Sequence, residues 1–231
     1  MDIFQTEPGL GLTPTQQRAF VQYANLLQTW NQKFNLTAIR DPDEIWHKHF
    51  LDSLTCLRAM RGTPLQRVID VGTGAGFPGL VLKIACPEIH LTLVEAVAKK
   101  AAFCAEVVHT LGLDHVEIQT ARAEALAQAP AHREQYDWAV ARAVAPLSVL
   151  AEYLLPFVKV GGKMLAQKGQ ESAQEVKQAE NALSTLGGEL EQVLPVPLPG
   201  GEAHTLIVIA KVRPTPDRFP RRVGIPAKRP L

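Results

Sequence analysis

Asp70-Val71-Gly72-Thr73-Gly74-Ala75-Gly76-Phe77-Pro78-Gly79 is the stretch of this sequence richest in chemistry. Glycines at alternate positions let the backbone pass close to a ligand that side chains would exclude. The loop follows a strand-like run, Arg67 to Val71, and opens a helical pattern, which is where a ligand-holding loop must sit. Two cofactor classes use this geometry. Gly74 to Gly79 matches the dinucleotide fingerprint GxGxxG, a weak signal by itself. Asp70 to Gly76 matches Asp-x-Gly-x-Gly-x-Gly, where the leading carboxylate can meet the cationic amino-acid end of S-adenosylmethionine. A pyrophosphate would be repelled by that carboxylate, so the frame favours the sulfonium cofactor. Both classes want an acidic residue at the tip of the second strand for ribose hydroxyls. Glu95 fills that place, 19 residues after Gly76.

Other candidates fall at the ends of later strands. Ala123-Glu124 follows the third strand; Glu124 is either a site residue or a carboxylate favoured by a helix N-terminus. Arg142 follows the fourth strand among small apolar residues and needs a partner. That partner is a nearby carboxylate or a ligand, and Lys168, at the end of the fifth strand, poses the same choice. His49 and Asp52 lie one helical turn apart and, with Asn35, either pack helices or face the crevice. His47 and His49 are no metal pair, because residues two apart on a helix face different sides.

These residues require an alternating α/β frame. Thr13-Pro14 caps a first helix, with Phe20, Ala24, Leu27, Trp30 and Phe34 at helical spacing. Asn31 to Thr37 breaks it, and Asp41 to Glu44 starts a second. From Arg67 onward, strands are expected at 67–71, 90–95, 116–119, 136–140, 162–167, 189–196 and 205–210. Helices are expected at 79–86, 98–111, 122–128, 146–156 and 171–186. Such alternation implies a mostly parallel, doubly wound sheet of seven strands. The last two strands have no helix between them and should pair antiparallel. The expected organisation is a small helical N-terminal extension (1–64), a cofactor-binding domain (65–211) and a basic, proline-rich tail (212–231).

Composition excludes several classes. A chain of 231 residues with 46% hydrophobic and 20% charged content is an ordinary globular protein. No apolar run approaches the ~18–20 residues that span a membrane. The acidic start, with Asp2 and Glu7, lacks the marks of a signal peptide. Cys56, Cys86 and Cys104 form no CxxC pair, so neither a disulfide framework nor a zinc site is expected. Net charge is +1, but residues 211–231 hold seven basic and one acidic residue. That tail is either a solubilising end or a polyanion contact. Its Arg218, Arg221, Arg222, Lys228 and Arg229 are interleaved with prolines, which argues against any helix there.

The motifs together resemble a known family. Phe34-Asn35-Leu36-Thr37, His49-Phe50-Leu51-Asp52-Ser53-Leu54, the loop Asp70–Gly79, Ala141-Arg142-Ala143, Lys168-Gly169 and Phe219 to Pro226 occur in this order. The chain thereby resembles, over nearly its whole length, the bacterial family that methylates N7 of one guanine in small-subunit (16S) ribosomal RNA. That family is also called glucose-inhibited division protein B, or RsmG. The resemblance implies a Rossmann-like class I methyltransferase using S-adenosyl-L-methionine. It places the cofactor at Gly72, Phe77, the Glu95 region, Ala123-Glu124 and Arg142; the loop reading adds Asp70, Gly74 and Gly76. Arg142 and Lys168 are the candidates for positioning cofactor and RNA, and Asn35, His49, Lys168, Arg221, Arg222 and Lys228 for contacting RNA. The implied partner is 16S rRNA or the small ribosomal subunit. A cytoplasmic monomer without metal or membrane contact is expected. Two departures stand out: the family often has Asp-Ser where this chain has Glu95-Ala96, and Lys-Arg where it has Lys99-Lys100.

Guanine N7 carries an in-plane lone pair and needs no general base, and the sequence offers no nucleophile–base arrangement or paired carboxylates. That agrees with catalysis by proximity and orientation. Rival readings are a small-molecule methyltransferase, a nicotinamide-dependent dehydrogenase and a ribosome-binding protein without transfer activity.

Overall fold

The computed structural model describes residues 11–142, 145–169, 172–198 and 203–231. Asp2, Glu7, Ala143 and residues 199–201 lie outside the described residues.

Helix α1 (Pro14–Phe34) starts as its sequence demands. The Thr13 hydroxyl accepts from the Gln16 amide and Gln16 returns a bond to the Thr13 amide, a complete capping box. The Gln16 side-chain amide also donates to the Ile84 and Ala85 carbonyls, at 2.9 and 3.0 Å, tying α1 to a helix of the main domain. Asn35 ends α1 in the left-handed region (φ 46°), a conformation asparagine tolerates. The second helical segment is broken into α2 (Pro42–Ile45), a π-helical stretch (Trp46–Leu51), α3 (Asp52–Leu54) and α4 (Leu57–Met60).

The remaining elements alternate as the pattern implies: β1 (Arg67–Val71), α5 (Gly79–Ala85), β2 (His90–Val94), α6 (Ala98–Leu111), β3 (Val116–Gln119), α7 (Ala123–Leu126), β4 (Tyr136–Arg142), α8 (Leu147–Leu154), β5 (Val158–Lys168), α9 (Ser172–Leu186), β6 (Gly188–Pro197) and β7 (Ala203–Lys211). The seven strands form one sheet in the order β3-β2-β1-β4-β5-β7-β6. Strands β1 to β5 run parallel, and β7 lies antiparallel between β5 and β6. Strand order reverses direction between β1 and β4, the switch point at which open α/β sheets bind ligands.

One face of the sheet shares its core with the N-terminal helices: Phe20, Tyr23, Leu27 and Phe50 pack with Phe77, Leu80 and Phe103. The extension is therefore continuous with the domain core. The other face buries Leu150, Leu154, Phe157 and Leu186. The tail departs from expectation. Ile225–Lys228 forms one helical turn, α10, with Pro226 in its first turn. There the missing N–H costs nothing, because first-turn amides have no intrahelical partner.

Candidate active site

The glycine loop hangs from the neighbouring strand. The Gly72 and Thr73 amides both donate to the Val94 carbonyl. Gly72, Gly74 and Gly76 have φ of 72°, 61° and 94°, values that non-glycine residues rarely adopt. Their reasons differ. A Cβ on Gly74 would meet nothing nearer than the Gly72 carbonyl at 4.0 Å, so that position is open in front of the loop. A Cβ on Gly76 would collide with the Tyr23 hydroxyl and with Leu80 Cδ1, at 2.5 Å for the latter. Gly76 thus serves close packing against α1, where the Tyr23 hydroxyl donates to the Ala75 carbonyl.

Asp70, expected at the cofactor, is fully buried behind the loop. Its Oδ2 accepts from the Thr73 hydroxyl at 2.6 Å and the Gly79 amide at 2.8 Å, closing the loop at both ends. Its Oδ1 has no hydrogen-bond partner. Burial pushes this carboxyl up to about 7, against the lowering effect of the two bonds. Glu95 accepts from the Gly74 amide (2.9 Å) and the Val97 amide (2.8 Å), one on each oxygen.

In front of the loop lies a cavity of about 350 Å³ at the carboxyl ends of β1, β2 and β4, within the usual size of small-molecule sites. Gly72, Glu95, Ala123, Glu124 and Arg142 line it, as do Ala96, Val97, Arg122 and Tyr153. Asp70, Gly74, Gly76 and Phe77 are not part of that lining. The Phe77 ring faces the N-terminal helices, stacked on His49 (centroids 4.4 Å apart) and on Tyr23 (5.5 Å), with the Arg142 guanidinium 4.8 Å from its centre. Tyr153 escaped notice because it belongs to the apolar pattern of α8.

Arg142 finds the carboxylate its setting requires. Its Nη1 donates to Asp52 Oδ2 and to the Lys48 carbonyl, both at 3.1 Å. Its Nη2 lies 3.0 Å from His49 Nδ1. Because a guanidinium only donates, Nδ1 accepts and the ring proton sits on Nε2, 2.8 Å from Thr37 Oγ1. Burial, aided by the Arg142 charge, pushes His49 down to about 3, so the ring is neutral. His49, expected to contact RNA, is instead buried with both nitrogens engaged. Asp52 also accepts from the Gln167 side-chain amide and pairs with His204 Nδ1, both at 2.7 Å. Neither Gln167 nor His204 stands in any motif, so only the fold brings them here.

The remaining candidates divide. Lys168 pairs with Glu175 and donates to the Ala145 carbonyl, each at 2.8 Å. Arg221 pairs with buried Glu152 through its Nε and Nη2. Asn35 is exposed as the cap of α1, and Arg222 and Lys228 are exposed in the tail.

The model of the GidB family, rRNA small subunit methyltransferase G, matches residues 16–199. The chain belongs to that family. Ribosomal RNA small subunit methyltransferase G of Roseiflexus castenholzii is 52% identical over 226 residues, covering 98% of this chain and 96% of that protein. The protein of the same name from Pelotomaculum thermopropionicum is 48% identical over 226 residues, covering 97% and 95%. The fold is also that of more distant methyltransferases. A SAM-dependent O-methyltransferase from Thermotoga maritima superposes with a TM-score of 0.52 at 16% identity, covering 72% of this chain and 67% of that one. A precorrin-6y C5,15-methyltransferase from Geobacter metallireducens gives 0.53 at 14%, covering 69% and 87%. Within the methyltransferase G family, the matched span includes the glycine loop, Glu95, Ala123-Glu124, Arg142 and Lys168, and stops short of the tail. Among the described residues no helix is long and apolar enough to cross a membrane, and no group of three or more His, Cys, Asp or Glu could hold a metal ion.

Proposed function

We propose that this chain transfers the methyl group of S-adenosylmethionine to N7 of a guanine in small-subunit ribosomal RNA. The observation that carries the reading is the cavity at the switch point, walled by Gly72, Glu95, Glu124 and Arg142. The residues fit the cofactor. Gly74 leaves space in front of the loop, and a carboxylate oxygen of Asp70 lies buried without a partner just behind it. Glu95 keeps acceptor capacity beyond its two backbone bonds, because a carboxylate offers about four lone-pair sites. In this reading Glu95 holds the ribose hydroxyls, Gly72 lets the backbone approach, and Ala123-Glu124 border the far end.

The bound cofactor supplies an electrophilic methyl group. The chain's own part is orientation. Arg142 is fixed from two sides, by Asp52 and by the Phe77 face, before any substrate arrives. Neutral His49 has its lone pair turned to Arg142, so it serves as a support for the guanidinium rather than a base. N7 of guanine needs no deprotonation, which suits a site built for proximity. Lys168 stands at the end of β5, where it orders the approach to α8 through Ala145 and Glu175. Asn35, Arg222 and Lys228 are the exposed residues assigned to RNA. The chain would act in the cytoplasm, as a monomer on the RNA or the subunit.

Small subunits or their naked RNA, incubated with the chain and labelled cofactor, should take up label at a guanine where borohydride and aniline then cleave the strand. Label that appears only in small metabolites would replace the RNA assignment. Stabilisation by NADH rather than adenosylhomocysteine would remove the methyltransferase reading.

A further inference from the structure

The basic tail, expected to be either a solubilising end or a polyanion contact, packs its later part against α7 and α8 beside the cavity. Glu152 on α8 is fully buried. Arg221 places four bonds on it: the backbone amide at 2.7 Å and Nε at 2.9 Å to Oε1, and Nε at 3.1 Å and Nη2 at 2.6 Å to Oε2. This is a forked, charge-assisted pair, the strongest kind a side chain makes with a carboxylate. The next residue along α8, Tyr153, lines the cavity. Three residues beyond Arg221, the Gly224 amide donates to Glu124 Oε1 at 2.8 Å. Glu124 is itself part of the cavity wall and is buried there. Gly224 has φ of 80°, a conformation that favours glycine. Two further bonds fasten the approach: Gln128 Nε2 donates to the Pro220 carbonyl at 2.9 Å, and Arg133 Nη1 to the Phe219 carbonyl at 2.8 Å. The tail thus reaches the outer side of both α7 and α8 and fixes one wall-forming side chain directly.

We infer that residues 219–224 are a latch for the cofactor cavity, with Arg221 and Gly224 acting as positioning residues through Glu152 and Glu124. The inference rests on the cavity being the cofactor site. Arg221 sets the rotation of α8 and so the place of Tyr153. Gly224 fixes the Glu124 carboxylate, which without that bond would turn into the cavity or toward solvent. Loss of the latch should therefore weaken cofactor binding and leave RNA binding alone. Were Arg221 itself an RNA contact, its loss would do the reverse.

The test uses the full chain with Arg221→Ala and Arg221→Lys, adenosylhomocysteine titrated by calorimetry, and separate KM values for cofactor and small subunits. Arg221→Ala should raise the dissociation constant and the cofactor KM by about tenfold or more, the scale of loss that small misplacements cause. The subunit KM and the salt dependence of subunit binding should stay as in the native chain. Arg221→Lys keeps a charge on Glu152 and should fall between the two. Should Arg221→Ala fail to fold, Glu152→Met combined with Arg221→Met leaves no unpaired buried charge and reads the same quantity. Unchanged adenosylhomocysteine affinity in a folded variant, or a rise in the subunit KM alone, overturns the latch. A native chain that binds no adenosylhomocysteine overturns the cofactor reading first and the latch with it.

Discussion

Arg142 Nη1 lies 3.1 Å from Asp52 Oδ2, a bond that joins the carboxyl end of β4 to the N-terminal helices across 90 positions of sequence. Asp52 is 1% exposed as a side chain and Arg142 15%. The pair is thus nearly dry on one side and open to the cavity on the other. Asp52→Ala should destabilise the chain by about 3–5 kcal/mol, because it leaves a desolvated guanidinium without its counter-charge. Asp52→Leu with Arg142→Met should recover much of that loss and still transfer no methyl. Urea unfolding beside a labelled-methyl assay separates the two effects. A double variant as active as the native chain would remove Arg142 from the site.

Glu95 has a different task, holding the loop as well as facing the cavity. Glu95→Gln keeps the shape but turns one acceptor into a donor, so either the Gly74 or the Val97 amide loses its bond. A lost bond of this kind costs about 1–3 kcal/mol where the donor is left buried. The cofactor KM should rise by about 10- to 100-fold, the equivalent of that energy, with kcat changed far less. Steady-state kinetics at saturating subunits decides it; a fall in kcat at unchanged KM would give Glu95 another role.

How legible the site was depends on how local its causes are. The glycine loop, Glu95 and every strand could be read because the signals are nearest-neighbour ones: β-branched runs, turn residues and the spacing of glycines. Arg142 announced its need for a partner through its apolar surroundings, but sequence could not say which one. Asp52, Gln167 and His204 meet only after α3, β5 and β7 are in place. The π-helical stretch Trp46–Leu51 turns His49 and Asp52 in a way no 3.6-residue repeat foretells. The direction of the Phe77 ring was not legible, because the loop motif fixes backbone whereas the ring follows from its packing on Tyr23 and Phe50. Proline content misled on the tail, since Pro226 sits where a helix accepts it.

Asp70 gives the chain a pH signature. Its carboxyl sits at about 7 in the fold, against ~3.9 in an unfolded chain. The folded state therefore holds the proton more tightly, and this contribution to stability is complete below pH ~4 and is lost as pH rises to about 7. His49 works the other way: at about 3 in the fold against ~6.5 unfolded, its contribution is present above pH ~6.5 and is lost as pH falls. Comparing Asp70→Asn with the native chain cancels the His49 part. The urea midpoint of Asp70→Asn should gain on the native value from pH 4 to 7 and then hold level. A difference that is flat across that range would show that Asp70 is not perturbed by burial.

The exposed charges of the tail should behave unlike Arg221. Arg222 and Lys228 are exposed, with no carboxylate within ion-pair distance among the described residues. If they neutralise phosphates, each one lost should reduce the slope of log affinity against log salt by about 0.7–0.9. Arg222→Ala with Lys228→Ala should then weaken subunit binding most at low salt, since screening already hides these charges at high salt. Adenosylhomocysteine affinity should not change, because neither side chain reaches Glu124 or Glu152. Filter binding at several salt concentrations gives the slope directly. An unchanged slope would leave the tail with its latch role alone and move the RNA-facing surface to the α1 end around Asn35, where Arg40 Nη2 lies 3.3 Å from the Asn35 side-chain oxygen.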